Sequence, residues 1–303
     1  MQWKGVMPAM TTPFDESLKT DWSFLERHAQ WLEKNGCSGL VCLGSLGEAA
    51  TLRFDEKISI VRKVVAAVSV PVVGAVSALS TEEAMEIAKA LADAGVQGLM
   101  ILPPYVYRGD WREMKAHVAA VLRSTALPAM LYNNPVAYGT DFVPEQIHEL
   151  SIEFENLAAV KESSTDIRRV TAIRALAGDR LAIFVGVDDA IVEGIEAGAI
   201  GWIAGLVNAF PRESVDLFNL TNAGDKRAAF DLYRWFLPML RMDTVPKFVQ
   251  LIKLVQEELG VGSSQVRPPR LKLEGEELAE AKKLIAEAIR HRPESSVRSS
   301  SFL

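Results

Sequence analysis

The chain has 303 residues, of which 49% are apolar and 24% are charged, and its formal net charge is −6. This composition predicts a globular protein with ample core, built as one large domain or two ordinary ones. The acidic balance and the lack of a basic patch argue against a nucleic-acid partner. We find no secretory signal and no apolar run of membrane-spanning length, so we expect a cytoplasmic protein that does not enter a membrane.

Cysteine and histidine offer no metal or redox pattern. Cys37 and Cys42 are too few for a disulfide scaffold and lack zinc-type spacing, and Cys42 lies in an apolar run typical of a core. The four histidines lie in predicted helices or the helical extension, where structural or solvent-facing roles are expected: His28, His117, His148 and His291. No metal-ligand cluster is apparent, and the lysine chemistry described below needs neither a metal nor an organic cofactor, so we predict none.

Strand and helix patterns alternate along the first two thirds of the chain. The first predicted strand is a short one closed by a turn within 5–14, and the others lie at 39–43, 70–76, 97–102, 128–132, 157–161, 181–185 and 200–204. The predicted helices begin with an Asp21 cap and continue at 55–68, 81–94, 110–124, from 144, at 166–176, at 188–197 and from 211. Eight strand-then-helix units favour a parallel sheet with right-handed crossovers.

Eight such units predict an α/β fold of the closed (β/α)8 barrel (TIM barrel) type, with an open, doubly wound sheet as the rival. No Gly-x-Gly-x-x-Gly follows the first strand, which weakens the dinucleotide-binding alternative. We assign the catalytic barrel to 1–224 and a C-terminal helical extension, with helices at 225–240, 245–259 and 275–288, to 225–292. The end, 293–303, is serine-rich, and we expect it to be disordered.

One lysine stands at the end of a predicted core strand. The run Leu157-Ala158-Ala159-Val160 leads directly into Lys161, and lysine is among the residues least often buried. A dry pocket lowers the pKa of a lysine and leaves the neutral amine that attacks a carbonyl to form a Schiff base. The alternative is a lysine that snorkels to solvent or pairs with Glu162.

In a barrel, function collects where the strands end. The predicted strand ends hold Tyr132, whose phenol could move protons to and from a carbinolamine on Lys161. The Gly-rich turn at 44–48 offers the Ser45 hydroxyl and clustered backbone N–H groups, which suit a carboxylate. The catalytic candidates are therefore Lys161, Tyr132 and Ser45. We expect Glu48, Glu162 and Asn208 to be internal hydrogen-bond partners.

The candidate site residues lie in short sequence motifs that are typical of one protein family. The carrying motifs are Gly44-Ser45-Leu46-Gly47-Glu48, Tyr132-Asn133-Asn134-Pro135 and Val160-Lys161-Glu162-Ser163, with Gly186-Val187-Asp188 and a strand that includes Ile203. With them the chain resembles, over nearly its whole length, the dihydrodipicolinate synthase / N-acetylneuraminate lyase family of lysine-dependent (class I) aldolases and lyases. The resemblance implies a Schiff base between Lys161 and a 2-oxo acid, with Tyr132 as the proton-transfer phenol. It also implies that Ser45 and the Leu46 amide hold the substrate carboxylate, that Gly186 and Ile203 supply backbone groups, and that the protein is a homotetramer or homodimer.

The departures from the family concern the distal half of the substrate pocket, which we expect to be rebuilt with Leu46, Val106, Ala137 and Tyr138. The two threonines usual in dihydrodipicolinate synthases are Ser45 and Leu46 here, so a threonine–tyrosine relay is not retained. The tyrosine that those enzymes borrow across a dimer interface falls at Val106, although Tyr105 and Tyr107 flank it. Their carboxylate-binding arginine falls at Ala137, beside Tyr138. A lost bidentate clamp disfavours aspartate semialdehyde as acceptor.

Four hypotheses about function follow from this pattern. The preferred one is a lyase acting on pyruvate or on a sugar-derived or hydroxyproline-derived 2-oxo acid, by aldol cleavage or condensation, dehydration or deamination. A 4-hydroxy-tetrahydrodipicolinate synthase with an altered relay is the second. A sensor that binds 2-oxo acids without turnover and a purely structural oligomer are the alternatives that are not enzymes, and an idle buried lysine would destabilise either of them.

Overall fold

The computed structural model describes residues 1–293, within which eight parallel strands form a nearly closed barrel. The strands are Gly5–Pro8 (β1), Leu40–Cys42 (β2), Val72–Val76 (β3), Gly98–Ile101 (β4), Ala129–Asn133 (β5), Leu157–Glu162 (β6), Ala182–Val185 (β7) and Gly201–Ala204 (β8). From β2 to β8 each strand pairs with the next, and β1 pairs with β8. A single parallel bridge between Ala9 and Val41 links the two remaining edges. The (β/α)8 prediction is confirmed, and the open sheet is excluded.

Helices connect the strands on the outside of the barrel. They are Trp22–Lys34 (α1), Phe54–Ala67 (α2), Thr81–Asp93 (α3), Trp111–Ser124 (α4), Pro135–Tyr138 (α5), Pro144–Glu153 (α6), Arg168–Ala177 (α7), Ile191–Glu196 (α8) and Pro211–Asn222 (α9). Asp21, Ser80 and Asp110 cap α1, α3 and α4 by accepting a backbone N–H with their side chains. No helix among residues 1–293 is long and apolar enough to cross a membrane.

The strands form the core because nearly all of their residues are apolar and shielded on both faces. β3 and β4 are buried at every position, and β6 is buried at every position except Ala158. This is the continuous apolar pattern of a parallel strand covered by helices. Cys42 belongs to this core as predicted, and burial raises the pKa of its thiol to about 12.

Three further helices follow the barrel: Lys226–Leu240 (α10), Phe248–Glu258 (α11) and Gly275–Arg290 (α12). A short 3₁₀ helix, Arg241–Thr244, joins α10 to α11. The segment after α11 returns to the barrel, where Arg267 pairs with Glu56 of α2 at 2.8 Å. The domain division at 224/225 stays a prediction, and of the predicted tail all but Pro293 lies outside the described residues.

Local chemistry explains where the predicted elements and the structure differ. The first strand is only Gly5–Pro8, because beyond it the chain turns to the other barrel edge, where the Met10 N–H donates to the Val41 carbonyl at 2.8 Å. The short helix α5 was not predicted. Its signals are Asn134, whose side chain accepts from the Ala137 N–H, Pro135 at the first helical position, and Gly139 with φ +69° at the end.

Candidate active site

The Lys161 side chain lies buried near the end of β6. Its neighbours in the sheet are Tyr132 of β5 and Phe184 of β7, and the residue is 6% exposed. The Nζ atom stands 4.1 Å from the centroid of the Tyr132 ring. Within residues 1–293 no hydrogen bond or ion pair holds this amine. Burial lowers its pKa to about 8, against the opposing charges of Asp243 and Asp188, so a larger share of the amine is neutral at pH 7 than in an exposed lysine.

Gly186 leaves the room that Lys161 occupies. A Cβ at Gly186 would stand 1.9 Å from Ser163 Oγ and 2.7 Å from Lys161 Cε, so any larger residue here would displace the lysine chain. The Gly186 N–H donates to the Glu162 carbonyl at 2.9 Å. Gly186, which was expected to supply a backbone group to the site, therefore lies against the Lys161 side chain. It can lie this close because it has no side chain.

A group of hydroxyls faces Lys161 from the side of β5. Asn134 Nδ2 donates to the Tyr132 hydroxyl at 2.9 Å. The Tyr138 ring meets the Tyr132 ring edge-on at 5.9 Å between centroids, and the hydroxyls of Tyr138 and Ser45 share a hydrogen bond. Burial raises the pKa of Tyr132 and of Tyr138. Both phenols therefore stay protonated at neutral pH and act as hydrogen-bond donors.

Two carboxyl groups lie close enough to Lys161 for their charges to raise its pKa. Asp188 is fully buried and accepts N–H bonds from Leu206 at 2.9 Å, from Gly205 at 3.1 Å and from the Trp202 indole at 3.1 Å. Burial raises its pKa to about 7, although these donors and Lys161 lower it. The second carboxyl is Asp243, from the 3₁₀ helix between α10 and α11. Burial and the Asp188 charge raise its pKa, and Lys161 lowers it.

Asp243 was not among the predicted site residues, because it does not follow a strand. The rule that function collects at strand ends selects only residues that follow a strand, and Asp243 precedes Pro246 in a turn between two helices. An aspartate in a turn is ordinary, so no local signal set it apart.

The remaining predicted residues occupy different environments. Leu46 and Ile203 are buried, at 2% and 1% exposure, which leaves their backbone groups as the parts able to contact a substrate. Val106 is 59% exposed and Ala137 is also exposed. These two residues lie in the loops after β4 and β5, and neither is enclosed with Lys161 in this chain.

The three predicted internal hydrogen-bond partners are confirmed as such. Glu48 binds Lys253 at 2.5 Å and the Arg267 N–H at 3.0 Å. Glu162 accepts from Asn133 at 3.1 Å, and Asn208 donates to the Ala9 carbonyl at 2.7 Å. In the described part of the chain, no group of three or more His, Cys, Asp or Glu side chains could hold a metal ion.

Comparison with known proteins identifies the family. The family model described as the dihydrodipicolinate synthetase family matches residues 2–288. The 4-hydroxy-tetrahydrodipicolinate synthase of Methanothrix thermoacetophila is 32% identical over 88% of this chain and 90% of its own length. That of Natronomonas pharaonis is also 32% identical, over 93% and 97%.

Solved structures give the same result. A putative dihydrodipicolinate synthetase from Pseudomonas aeruginosa superposes with a TM-score of 0.89 at 29% identity, covering 94% of this chain and 99% of its own. The 4-hydroxy-tetrahydrodipicolinate synthase of Methylacidiphilum fumariolicum reaches a TM-score of 0.92 at 25% identity, covering 95% and 97%. The chain therefore belongs to the dihydrodipicolinate synthetase family of aldolase-type, Schiff-base lyases.

Proposed function

We propose that this lyase forms its Schiff base through Lys161 with pyruvate or a pyruvate-like 2-oxo acid, without a metal or organic cofactor. The observation that carries the proposal is the environment of the Lys161 amine: it is buried, it has no hydrogen bond or ion pair within residues 1–293, and burial lowers its pKa to about 8. An amine in this state is prepared for attack on a carbonyl.

The proposed chemistry assigns one role to each side of the pocket. Neutral Lys161 attacks carbon 2, and the Tyr132 phenol donates the proton with which water leaves, giving an iminium. The substrate carboxylate takes the side of Ser45 and the Leu46 amide, because hydroxyls and N–H groups stabilise an anion. Backbone groups of Gly186 and Ile203 border the reacting carbon. The iminium then accepts the electron pair released when a bond at carbon 3 breaks.

For the rest of the substrate, we propose a sugar-derived or hydroxyproline-derived 2-oxo acid. Ala137 stands where the resemblance places the arginine that binds a second carboxylate, and it carries no charge. The second candidate is 4-hydroxy-tetrahydrodipicolinate synthase, because relatives at about 30% identity carry that name. Consumption of aspartate semialdehyde together with pyruvate would favour the second candidate, and turnover of a hydroxylated 2-oxo acid alone would favour the first.

The first experiment is trapping with borohydride. The protein is incubated with pyruvate, reduced, and analysed by intact mass and peptide mapping. We expect one adduct, on Lys161. Lys253 provides an internal control, because it is also a buried lysine with a pKa lowered to about 8. Absence of an adduct, both with pyruvate and with longer 2-oxo acids, would refute the Schiff-base proposal and favour a structural role for Lys161.

We further propose a homotetramer or homodimer located in the cytoplasm. The family resemblance supports the assembly, and the exposed Val106 lies where that resemblance implies a tyrosine that crosses a dimer interface. Sedimentation at several protein concentrations tests this proposal, and a monomer at every concentration would refute it.

A further inference from the structure

Tyr138 connects the buried Tyr132 phenol to a less buried group of hydroxyls. It is the last residue of α5, and its hydroxyl shares a hydrogen bond with the Ser45 hydroxyl. Its ring meets the Tyr132 ring at 5.9 Å and the Tyr105 ring at 5.6 Å between centroids. Tyr132 is only 5% exposed, whereas Ser45, Tyr138 and Tyr105 are partly exposed. These side chains therefore form a line that runs from the buried phenol towards solvent.

The proposed chemistry leaves Tyr132 as a phenolate once it has given its proton to the departing water. The phenolate takes a proton from carbon 3 of the iminium, the C–H electron pair forms the double bond between carbons 2 and 3, and the π pair moves onto the Lys161 nitrogen. The same proton can return to carbon 3 unless Tyr132 first exchanges it with solvent. Because this phenol is buried, the exchange needs a neighbour that both accepts and donates a proton.

Three side chains in the described part of the chain act on the Tyr132 hydroxyl, and one of them can pass a proton outwards. The Asn134 amide donates to it at 2.9 Å, but an amide NH₂ group only donates. Ser163 lies near the phenol, but its oxygen is buried and has no hydrogen-bond partner within residues 1–293. Ser45 lies close enough to lower the pKa of Tyr132, and its hydroxyl is also bonded to Tyr138. Ser45 therefore joins the two phenols.

A bound substrate leaves Tyr138 as the outward contact of the Ser45 hydroxyl. In the proposed function the substrate carboxylate covers the pocket side of Ser45 and binds the Leu46 amide. The Ser45 hydrogen then points to Tyr132 while that phenol is ionised. The tyrosine that the resemblance implies from a partner subunit falls at Val106, which has no hydroxyl. Tyr138 belongs to the same chain as the phenol that it serves.

A nearby positive charge assists Tyr138 in giving up a proton. Burial and the Tyr132 charge raise the pKa of Tyr138, and the Arg270 guanidinium lowers it. Arg270 stands 4.0 Å from the Glu48 carboxylate, in the turn that also holds Ser45. The negative charge that appears on Tyr138 when it donates is thus partly balanced from the turn after β2.

We propose that Tyr138 is the outer member of a proton relay, through Ser45, that exchanges the proton of Tyr132 with solvent, an inference that rests on the proposed function. The Tyr138 hydroxyl donates its proton to the Ser45 oxygen as the Ser45 hydroxyl donates its own to the Tyr132 phenolate. Solvent then returns a proton to Tyr138. Run in reverse, the relay carries a proton taken from carbon 3 out to solvent. Each oxygen gains one proton for each that it gives.

Pyruvate in D₂O tests the relay. When the relay replaces the proton on Tyr132 before it returns to carbon 3, the methyl group of pyruvate gains deuterium, which proton NMR follows. Tyr138→Phe keeps the ring and removes only the hydroxyl. Its exchange should slow about 100-fold, because the same proton returns to carbon 3. A first adduct on Lys161, trapped by borohydride, needs only the proton that Tyr132 already holds and should form near the wild-type rate.

Tyr105→Phe is the matched control. The Tyr105 ring also meets that of Tyr138, but its hydroxyl accepts from Ser77 at 3.3 Å and lies outside the relay. This variant should trap pyruvate and exchange its methyl protons near the wild-type rates. An equal loss of exchange in this control would overturn the proposal, because the packing of the rings would then control the exchange.

The ratio of exchange to trapping separates the other results. Exchange at the wild-type rate in Tyr138→Phe, with normal trapping, would overturn the relay and leave the Schiff base intact. Equal loss of trapping and exchange in this variant would also overturn it, because the hydroxyl would then shape the pocket and not move protons. If the wild-type protein traps neither pyruvate nor longer 2-oxo acids, the proposed function fails, and this inference fails with it.

Discussion

Lys161 and Lys253 are two buried lysines in very different settings. Burial lowers the pKa of each to about 8. Lys253, in α11, is 1% exposed and binds Glu48 at 2.5 Å and the Gln265 carbonyl at 2.6 Å. The Lys161 amine lies beside the Tyr132 ring and has no such partner in the described residues. The same direction of pKa shift therefore accompanies two distinct arrangements.

The comparison shows that a lowered pKa alone does not identify a nucleophile. The charge of Glu48 favours the ammonium form of Lys253, and this ion pair fastens α11 to the turn after β2. Lys161 forms no bond that requires a proton. Its nitrogen lone pair is therefore available once the proton leaves, and this difference guides the predictions below.

The largest expected effect is that of Lys161→Ala on adduct formation. With no amine at the end of β6, borohydride trapping of pyruvate and turnover should both disappear. The fold should remain, because an alanine at this position needs no partner and loses no hydrogen bond within residues 1–293. Intact mass after reduction, together with the circular dichroism of the variant, checks both expectations. Substantial residual turnover would contradict the Schiff-base mechanism.

Lys253→Met should lower the stability of the fold and leave adduct formation on Lys161 intact. It leaves the Glu48 carboxylate buried without its main counter-charge, which typically costs about 3–5 kcal/mol of unfolding free energy. Folded protein should still trap pyruvate on Lys161. Denaturant unfolding measures the cost, and the matched double variant Lys253→Met/Glu48→Gln should recover part of it. A single variant as stable as wild type would show that the pair contributes nothing to stability.

The comparison also shows what the sequence could reveal. Lys161 was found because a continuous apolar run predicts a buried strand, and a charged residue at its end contradicts that environment. The eight-unit alternation was sufficient to predict the barrel, because strand and helix periods are local signals. The order of the strands then brings Tyr132 next to Lys161.

Lys253 and Asp243 were missed because their environments depend on tertiary docking. Lys253 lies in an amphipathic helix, where a lysine is normally a solvated residue. Only the return of the chain to the turn after β2 buries it against Glu48. Asp243 likewise gains its position from the way the segment between α10 and α11 covers the end of β8. No sequence period encodes such a contact between distant segments.

Tyr132→Phe tests whether the phenol beside Lys161 acts as the proton donor. The ring that contacts the amine is kept, and only the hydroxyl that receives the Asn134 amide is removed. Binding should be retained, and loss of the proton donor should slow adduct formation about 100-fold. The rate of trapping at saturating pyruvate measures the effect, with Lys253 unmodified throughout. An unchanged rate would remove the role assigned to the phenol.

A further expected effect is the pH dependence of adduct formation. The pKa of Lys161 falls from 10.5 to about 8 because burial disfavours the ammonium form, although Asp243 and Asp188 oppose this. Only the neutral amine reacts, so the initial rate should fall about tenfold per pH unit below pH 8. At lower pH the amine is protonated, and near pH 8 the dependence should level off. A rate still rising steeply at pH 9 and above would place the pKa near that of an exposed lysine.

The same shift predicts how stability changes with pH. Between about 8 and 10.5 the unfolded chain keeps a proton on Lys161 that the folded chain has lost, so the contribution of Lys161 to folding stability rises with pH across this window. Lys161→Ala removes this contribution. Between pH 8 and 10, the unfolding free energy of the variant should therefore rise less with pH than that of the wild type, as denaturant titrations at several pH values would show. Equal slopes would mean that the buried amine is as strong a base as an exposed one, and that its reactivity must come from position alone.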